Sequence, residues 1–321
     1  MVLKLLINNT QFKKINYLTV KIKKIFLHDP TLIARINIYL KLMKKRSDKV
    51  EILITGGTSG LGLELVRLFL KNGFHVISMG RKQIDIPGYE NRYKLYQVDF
   101  SDLEKVAKTT KQICENHEID IVINNAGVLS PPAYTQTINC FEYTLQVNYL
   151  SHLLINEVVV KKVRNNKQLR IAAVTSPLYM LADRDLEMKY SEQSYSILNA
   201  YSSSKLYLVL MCQFFPLRHP EQNLKCFSFN PGIFSSGIYR MQKKWFWRLY
   251  YLGSPFMKSP GIVAKILLEI LTEEEIINGH IYHTRKRPVP IPLIDTSKKE
   301  VFFKTSYEMI GPYLKQVGDI N

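Results

Sequence analysis

The chain of 321 residues has few cysteines and no pattern among them. Cys114, Cys140, Cys212 and Cys226 are widely spaced and form no C-x-x-C. That argues against a disulfide framework or a zinc ribbon and suits a reducing compartment such as the cytoplasm. The seven histidines make no H-E-x-x-H, so no metal site is expected, and they read as surface or packing residues. No run of 18 apolar residues free of charge occurs, so no membrane span is expected. The opening MVLKLLIN is too short an apolar run for a secretory leader, and no small-residue cleavage site follows it. Internal repeats are absent, as are low-complexity linkers after residue 50. Acidic residues are also scarce, 27 against 44 Lys and Arg, for a net charge of +17.

That charge is unevenly spread. Residues 1–50 hold 12 Lys and Arg and 2 Asp, so most of the excess sits in the first fifty residues. Asp29-Pro30 reads as a helix start, with Asp as cap and Pro at the first helical position. In the following TLIARINIYLKLMKK, residues Leu32, Ile36, Tyr39, Leu40 and Met43 share a face, while Arg35, Lys41 and Lys44 fall off it. Three readings stand side by side: a basic amphipathic helix on a membrane surface, a helix packed on the body, or translation beginning at Met43. Residues 1–49 are therefore expected as a basic extension and 50–321 as one α/β domain, a length that supports a full core.

The body is organised around EILITGGTSGLG, residues 51–62. A short apolar strand runs into a glycine-rich turn and then into an amphipathic helix ending at Gly73. The free amides at a helix start carry partial positive charge, and glycines let a pyrophosphate approach the backbone closely. After it, strands are expected at 74–80, within 91–100 and ending at Asp99, and at 120–127, 170–176 and 224–232. They alternate with helices over 102–117, 138–163 and 199–219. Alternation of this kind predicts a doubly wound, Rossmann-type parallel sheet with helices on both faces.

Tyr201-Ser-Ser-Ser-Lys205 is the second signal. Positions four apart share a helix face, so an ammonium can stand beside a phenol and favour its ionised form. Ser176 ends a strand 25 residues upstream, Asn148 lies in the helix before that strand, and Asn124-Asn125-Ala126-Gly127 closes the fourth strand. Active groups at the C-terminal ends of parallel strands fit the crevice rule for open α/β sheets.

Taken in order, TGGTSGLG, Asp99, NNAG, Asn148, Ser176, YSSSK and NPG resemble the short-chain dehydrogenase/reductase family over roughly residues 50–285. The stretches YSSSKLYLVLMCQFF and FMKSPGIVAKILLEIL, the latter followed by GHIYHTRKR, are similar to its retinol-dehydrogenase-like subgroup. The resemblance implies an oxidoreductase with Tyr201 as acid/base, Ser176 polarising a carbonyl, Lys205 on the nicotinamide ribose and tuning Tyr201, and Asn148 supporting a relay water. It implies a dinucleotide bordered by Gly56, Thr58, Ser59, Gly60, Leu61 and Gly62. Asp99 would lie by the adenine, Asn125, Ala126 and Gly127 along the cofactor, and Pro231, Gly232 and Ile233 near the nicotinamide. Two departures stand out. Pro177 directly follows Ser176 and restricts it, and Ser236 replaces the usual Thr.

The second strand ends Ser78-Met79-Gly80-Arg81, with no carboxylate to grip a ribose 2′-hydroxyl. Arg81 can instead pair with a 2′-phosphate. NADP(H) is the expected cofactor, with NAD(H) as the alternative. Residues 233–260 mix aromatics with Lys and Arg, which suits a lid over a small lipophilic carbonyl or alcohol, a membrane interface, or plain core packing. No nucleic-acid motif accompanies them, so no nucleic-acid partner is expected. A homo-oligomer is open, and so is a catalytically silent dinucleotide-binding or membrane-surface scaffold.

Overall fold

By its internal contacts the chain divides into Met1–Lys49 and Val50–Asn321. The computed structural model describes residues 49–163, 167–234, 258–285 and 287–318. The expected N-terminal helix, Ser236 and most of the aromatic stretch from 233 to 260 lie outside the described residues.

β1 (Glu51–Thr55) is buried at every position. A strand covered on both faces needs such an unbroken run rather than alternation. β2 (His75–Gly80), β4 (Ile119–Asn124), β5 (Leu169–Val174) and β6 (Leu224–Asn230) are likewise almost wholly buried. β3 (Tyr93–Gln97), at the sheet margin, is only partly covered. β7 (Ile281–His283) and a short β8 (Pro288–Val289) complete the sheet, in the order β3-β2-β1-β4-β5-β6-β7-β8. All pairings are parallel except β7 with β8. The chain reverses its direction of travel between β1 and β4, which opens a crevice at the C-terminal strand ends.

α1 (Gly60–Lys71) packs against α5 (Pro260–Leu271), and α2 (Leu103–Asn116) against α3 (Ser151–Lys162). α4 (Ile197–Arg218) lies along β5 and β6. Helix ends follow local chemistry: the Asp102 carboxylate accepts from the Lys105 amide at 3.0 Å to start α2, and Gly73, at φ +90°, follows α1.

The structure departs from the sequence expectation in two places. Helix does not run from 138. Cys140 is in the left-handed region at φ +61°, and Gln136 bridges Glu142. The Glu142 carboxylate then caps the amides of Thr144 and Leu145 at 2.9 and 2.6 Å. Helix begins only at Tyr143 and passes through a π-turn, Gln146–Leu150, before α3. The second departure is α6 (Thr296–Gln316), which the motifs did not announce. Its Phe302 and Phe303 stack on Tyr149, Tyr207 and Phe214, and Tyr149 donates to the Ser306 hydroxyl at 2.9 Å. Each such buried aromatic contributes about 1.5–3 kcal/mol of transfer free energy. α6 thus completes the core over α2 and α3.

Candidate active site

The glycine turn is built by close approach. Gly56 leaves β1 at φ +68° and its amide bonds the Met79 carbonyl at 2.7 Å, a backbone conformation a side chain would strain. A Cβ on Gly62 would stand 2.1 Å from the Gly56 carbonyl oxygen, so α1 can lie this near the turn only with glycine there. The α1 N-terminus carries no side-chain cap and no acidic residue in its first turn. Its amides are left to a ligand, and anionic groups are favoured there.

The turn opens on a cleft of about 630 Å³. Around it the structure gathers Gly56, Thr58, Ser59, Gly60, Leu61 and Gly62 with Arg81 and Asp99. It adds Asn125, Ala126 and Gly127, then Ser176, Tyr201 and Lys205, and finally Pro231, Gly232 and Ile233. Asn148 is the one expected site residue that does not line the cleft. It stands just behind it, where its Oδ1 accepts from the Val128 amide at 2.8 Å and its Nδ2 donates to the Val128 carbonyl and the Ser204 hydroxyl, both at 3.0 Å.

Tyr201 and Lys205 share a face of α4, and the Lys205 Nζ stands 5.8 Å from the centre of the Tyr201 ring. Both are almost fully buried. The Lys205 ammonium donates to the Val174 carbonyl at 3.1 Å, and burial pulls its pKa down to about 8. The Thr175 hydroxyl donates to the Lys205 carbonyl at 2.9 Å and so ties α4 to the end of β5.

Pro177 has a local effect on Ser176. Ser176 is extended, at φ −154° and ψ 151°, the conformation a following proline favours. Pro177 opens a short 3₁₀ helix, Pro177–Leu181, and the Ser176 Oγ accepts from the Leu178 amide at 3.3 Å. The hydroxyl acts as acceptor in that bond, so its proton is left to give to a group in the cleft.

A dinucleotide fits these residues. Glycines take the place of Cβ atoms that would fill the cradle, the helix start offers free amides, and Arg81 and Lys82 lie at the end of β2 with no carboxylate between them and the strand. Among the described residues no group of three or more His, Cys, Asp or Glu could hold a metal ion.

Sequence reasoning missed several residues here. Tyr143 lines the cleft, and its hydroxyl neighbours Arg81 and Asp99. Phe100, Val128 and Leu178 line it too, as does Phe234 from the expected substrate cover. Of the histidines, read as surface or packing residues, three also bond buried polar groups. His117 bonds the buried Glu51 carboxylate, His219 bonds Glu157, and His152 is enclosed in a polar network below the cleft. Helical spacing was the available signal for His152, which is four residues from Asn148.

The sequence matches the model of the short chain dehydrogenase family over residues 50–246. Similar curated proteins include retinol dehydrogenase 11 of Homo sapiens, 27% identical over 243 residues and covering 71% of this chain and 75% of that protein. Another is retinol dehydrogenase 14 of Mus musculus, 28% identical over 291 residues, or 81% of this chain and 85% of that one. Among solved structures, a short chain dehydrogenase of Leptospira borgpetersenii with bound NAD+ aligns at a TM-score of 0.57 and 20% identity, over 74% of this chain and 91% of that chain. A short chain dehydrogenase of Shigella flexneri complexed with NADP aligns at a TM-score of 0.56 and 17% identity, over 74% and 98%. At these identities the structures speak to the fold alone.

Proposed function

This chain belongs to the short chain dehydrogenase family, in its retinol-dehydrogenase-like subgroup, and from that premise we propose that it interconverts a lipophilic aldehyde or ketone and its alcohol with NADP(H). It is an NAD(P)-dependent oxidoreductase acting on CH–OH groups. The observation that carries the finer reading is the convergence of Ser176, Tyr201 and Lys205 with the glycine turn on one cleft.

A bound nicotinamide supplies the hydride, or takes it in the reverse direction. The remaining work falls to the chain. Tyr201 gives its phenolic proton to the substrate oxygen during reduction and recovers it in oxidation. Ser176 donates its hydroxyl proton to the same oxygen and so polarises the carbonyl. The Lys205 ammonium holds a positive charge against the Tyr201 ring and favours the phenolate. Asn148 braces Val128 and Ser204 behind the lining and, in this reading, supports the relay water that returns a proton to Tyr201.

NADP(H) is supported by Arg81 and Lys82 in the cleft wall, where a guanidinium can take a phosphate bidentately. The lipophilic substrate is supported by the names of the retinol dehydrogenase relatives and by Leu178, Ile233 and Phe234 in the lining. Residues 233–260 are assigned as the substrate cover and residues 1–49 as a separate basic extension. A membrane surface as the working site is supported by exposed Met180, Leu181 and Ile233, which follow Ser176 or border the cleft. Among the described residues no helix is long and apolar enough to cross a membrane.

The test is NADPH oxidation against a panel of long-chain and aromatic aldehydes, with NADH in parallel. Turnover with NADPH that collapses in Tyr201→Phe is the expected result. Equal turnover in that variant removes Tyr201 from the mechanism, and a preference for NADH overturns the choice of dinucleotide.

A further inference from the structure

His152 has no part in the chemistry described above, yet it is fully buried two residues past the π-turn that carries Asn148. Its Nδ1 lies 2.8 Å from the Asn148 backbone carbonyl. Its Nε2 lies 3.0 Å from the Thr55 hydroxyl at the end of β1. The Phe100 ring stands beside it at 6.0 Å between centres.

The hydrogen-bond directions follow from the partners. A carbonyl only accepts, so the imidazole proton resides on Nδ1 and Nε2 is left as an acceptor. Burial disfavours the imidazolium and pulls the pKa down to about 3, so the ring stays neutral. Thr55 must then donate to Nε2. The hydroxyl oxygen is thereby free to accept, and it does so twice, from the amides of Asn125 and Ala126 at 2.9 Å each. Those two residues begin the turn that borders the cleft beside the glycine cradle.

The far end of the same turn is held by Asn148, whose side chain bonds both the amide and the carbonyl of Val128. The bonds therefore close a circuit: Thr55, His152, the Asn148 backbone, the Asn148 side chain, Val128, and back along the turn to Ala126 and Thr55. The ring's directions are set by the Asn148 carbonyl, and the Thr55 proton goes to the ring Nε2 at 3.0 Å in preference to the Ile123 carbonyl at 3.3 Å.

We propose that His152 is a positioning residue for dinucleotide binding, bridging Thr55 and the Asn148 backbone, the two residues that hold the ends of the 125–128 turn. This rests on the dinucleotide reading of the cleft. The ring does not line the cleft and acts through Thr55 and Asn148.

The test is a double-mutant cycle read as the dissociation constant of NADPH, followed by the coenzyme's fluorescence, on the full chain. His152→Leu should weaken binding by roughly tenfold, the scale of one buried hydrogen bond lost, and Thr55→Val, which also strips the Asn125 and Ala126 amides of their acceptor, by at least as much. The double variant should be no weaker than Thr55→Val alone, because both remove the same clamp. Losses that multiply, or an unchanged dissociation constant in His152→Leu, overturn the proposal. If the unmodified protein binds neither NADPH nor NADH, the dinucleotide reading itself fails and takes this inference with it. Should the variants not fold, the unmodified protein labelled with ¹⁵N-histidine reports the tautomer of His152 directly. A proton on Nδ1 supports the circuit, and a proton on Nε2 overturns it.

Discussion

The two ends of the parallel sheet treat buried polar groups in opposite ways. At the N-terminal end the groups satisfy one another. The Glu51 carboxylate accepts from the Glu118 amide at 2.6 Å and bonds the His117 Nδ1 at 3.1 Å, and the His117 Nε2 meets the Tyr96 hydroxyl at 3.1 Å. Lys167 pairs with Asp120 at 2.9 Å, and Asp120 accepts from the Glu51 amide at 2.9 Å. At the C-terminal end Ser176, Tyr201 and Lys205 face a cleft, and the network beneath them stops short of filling it. Burial without an opposing carboxylate is what draws the Lys205 pKa down. The closed end holds the fold, while the open end keeps hydrogen-bonding capacity for something from outside.

The comparison can be broken at several points. The largest effect is expected at the open end: Tyr201→Phe should lower kcat by about 10²–10⁴-fold with the melting temperature held, as measured by steady-state kinetics and thermal unfolding. A similar loss of melting temperature would make Tyr201 a packing residue instead. At the closed end, Glu51→Ala strips the Glu118 amide and the His117 ring of their acceptor. It should cost about 2–3 kcal/mol of stability in denaturant unfolding and leave kcat for the folded fraction unchanged. A change in kcat would show that the two ends are coupled.

Arg81→Ala should raise the Michaelis constant for NADPH roughly tenfold or more, the scale of a lost charge-assisted contact, and hardly alter that for NADH. Equal effects on both would move Arg81 out of the phosphate site. The smallest effect is a pH slope. Lys205 loses its proton as pH rises through about 8 in the folded chain, whereas the unfolded chain keeps it to the ordinary lysine value. The functional charge is therefore present below about 8 and lost above it, so kcat/KM should decline by up to about tenfold per unit on the alkaline side. The unfolded state binds the extra proton in that window, so the contribution of Lys205 to stability rises with pH there. Replacing Lys205 with Arg should remove the decline.

Much of the site was legible in the linear sequence because its pieces are local. Strand, glycine turn and helix start occupy consecutive residues, and Tyr201 and Lys205 meet by helical spacing alone. Strand cores were placed within a few residues, though β3 ends at Gln97 rather than Asp99. The helix start expected at 138 gives way to local capping, since Glu142 offers its carboxylate to the first free amides. α6 was missed because it carries no motif, and its buried face is defined by Tyr149, Tyr207 and Phe214, which are far away in sequence. The partners of His152 were not legible because a buried histidine looks the same in sequence whether it only fills space or also bonds a distant hydroxyl.

Residue order alone determined that this chain folds as alternating strand and helix around a phosphate cradle, because periodicity, glycine placement and helix spacing act over a few residues. Only the tertiary structure decided that Asn148 stands behind the cleft wall and that His152 comes within hydrogen-bond reach of the Thr55 hydroxyl. Those outcomes depend on groups as far as ninety-seven residues apart coming within 3 Å, and on burial that forces each donor to find its acceptor.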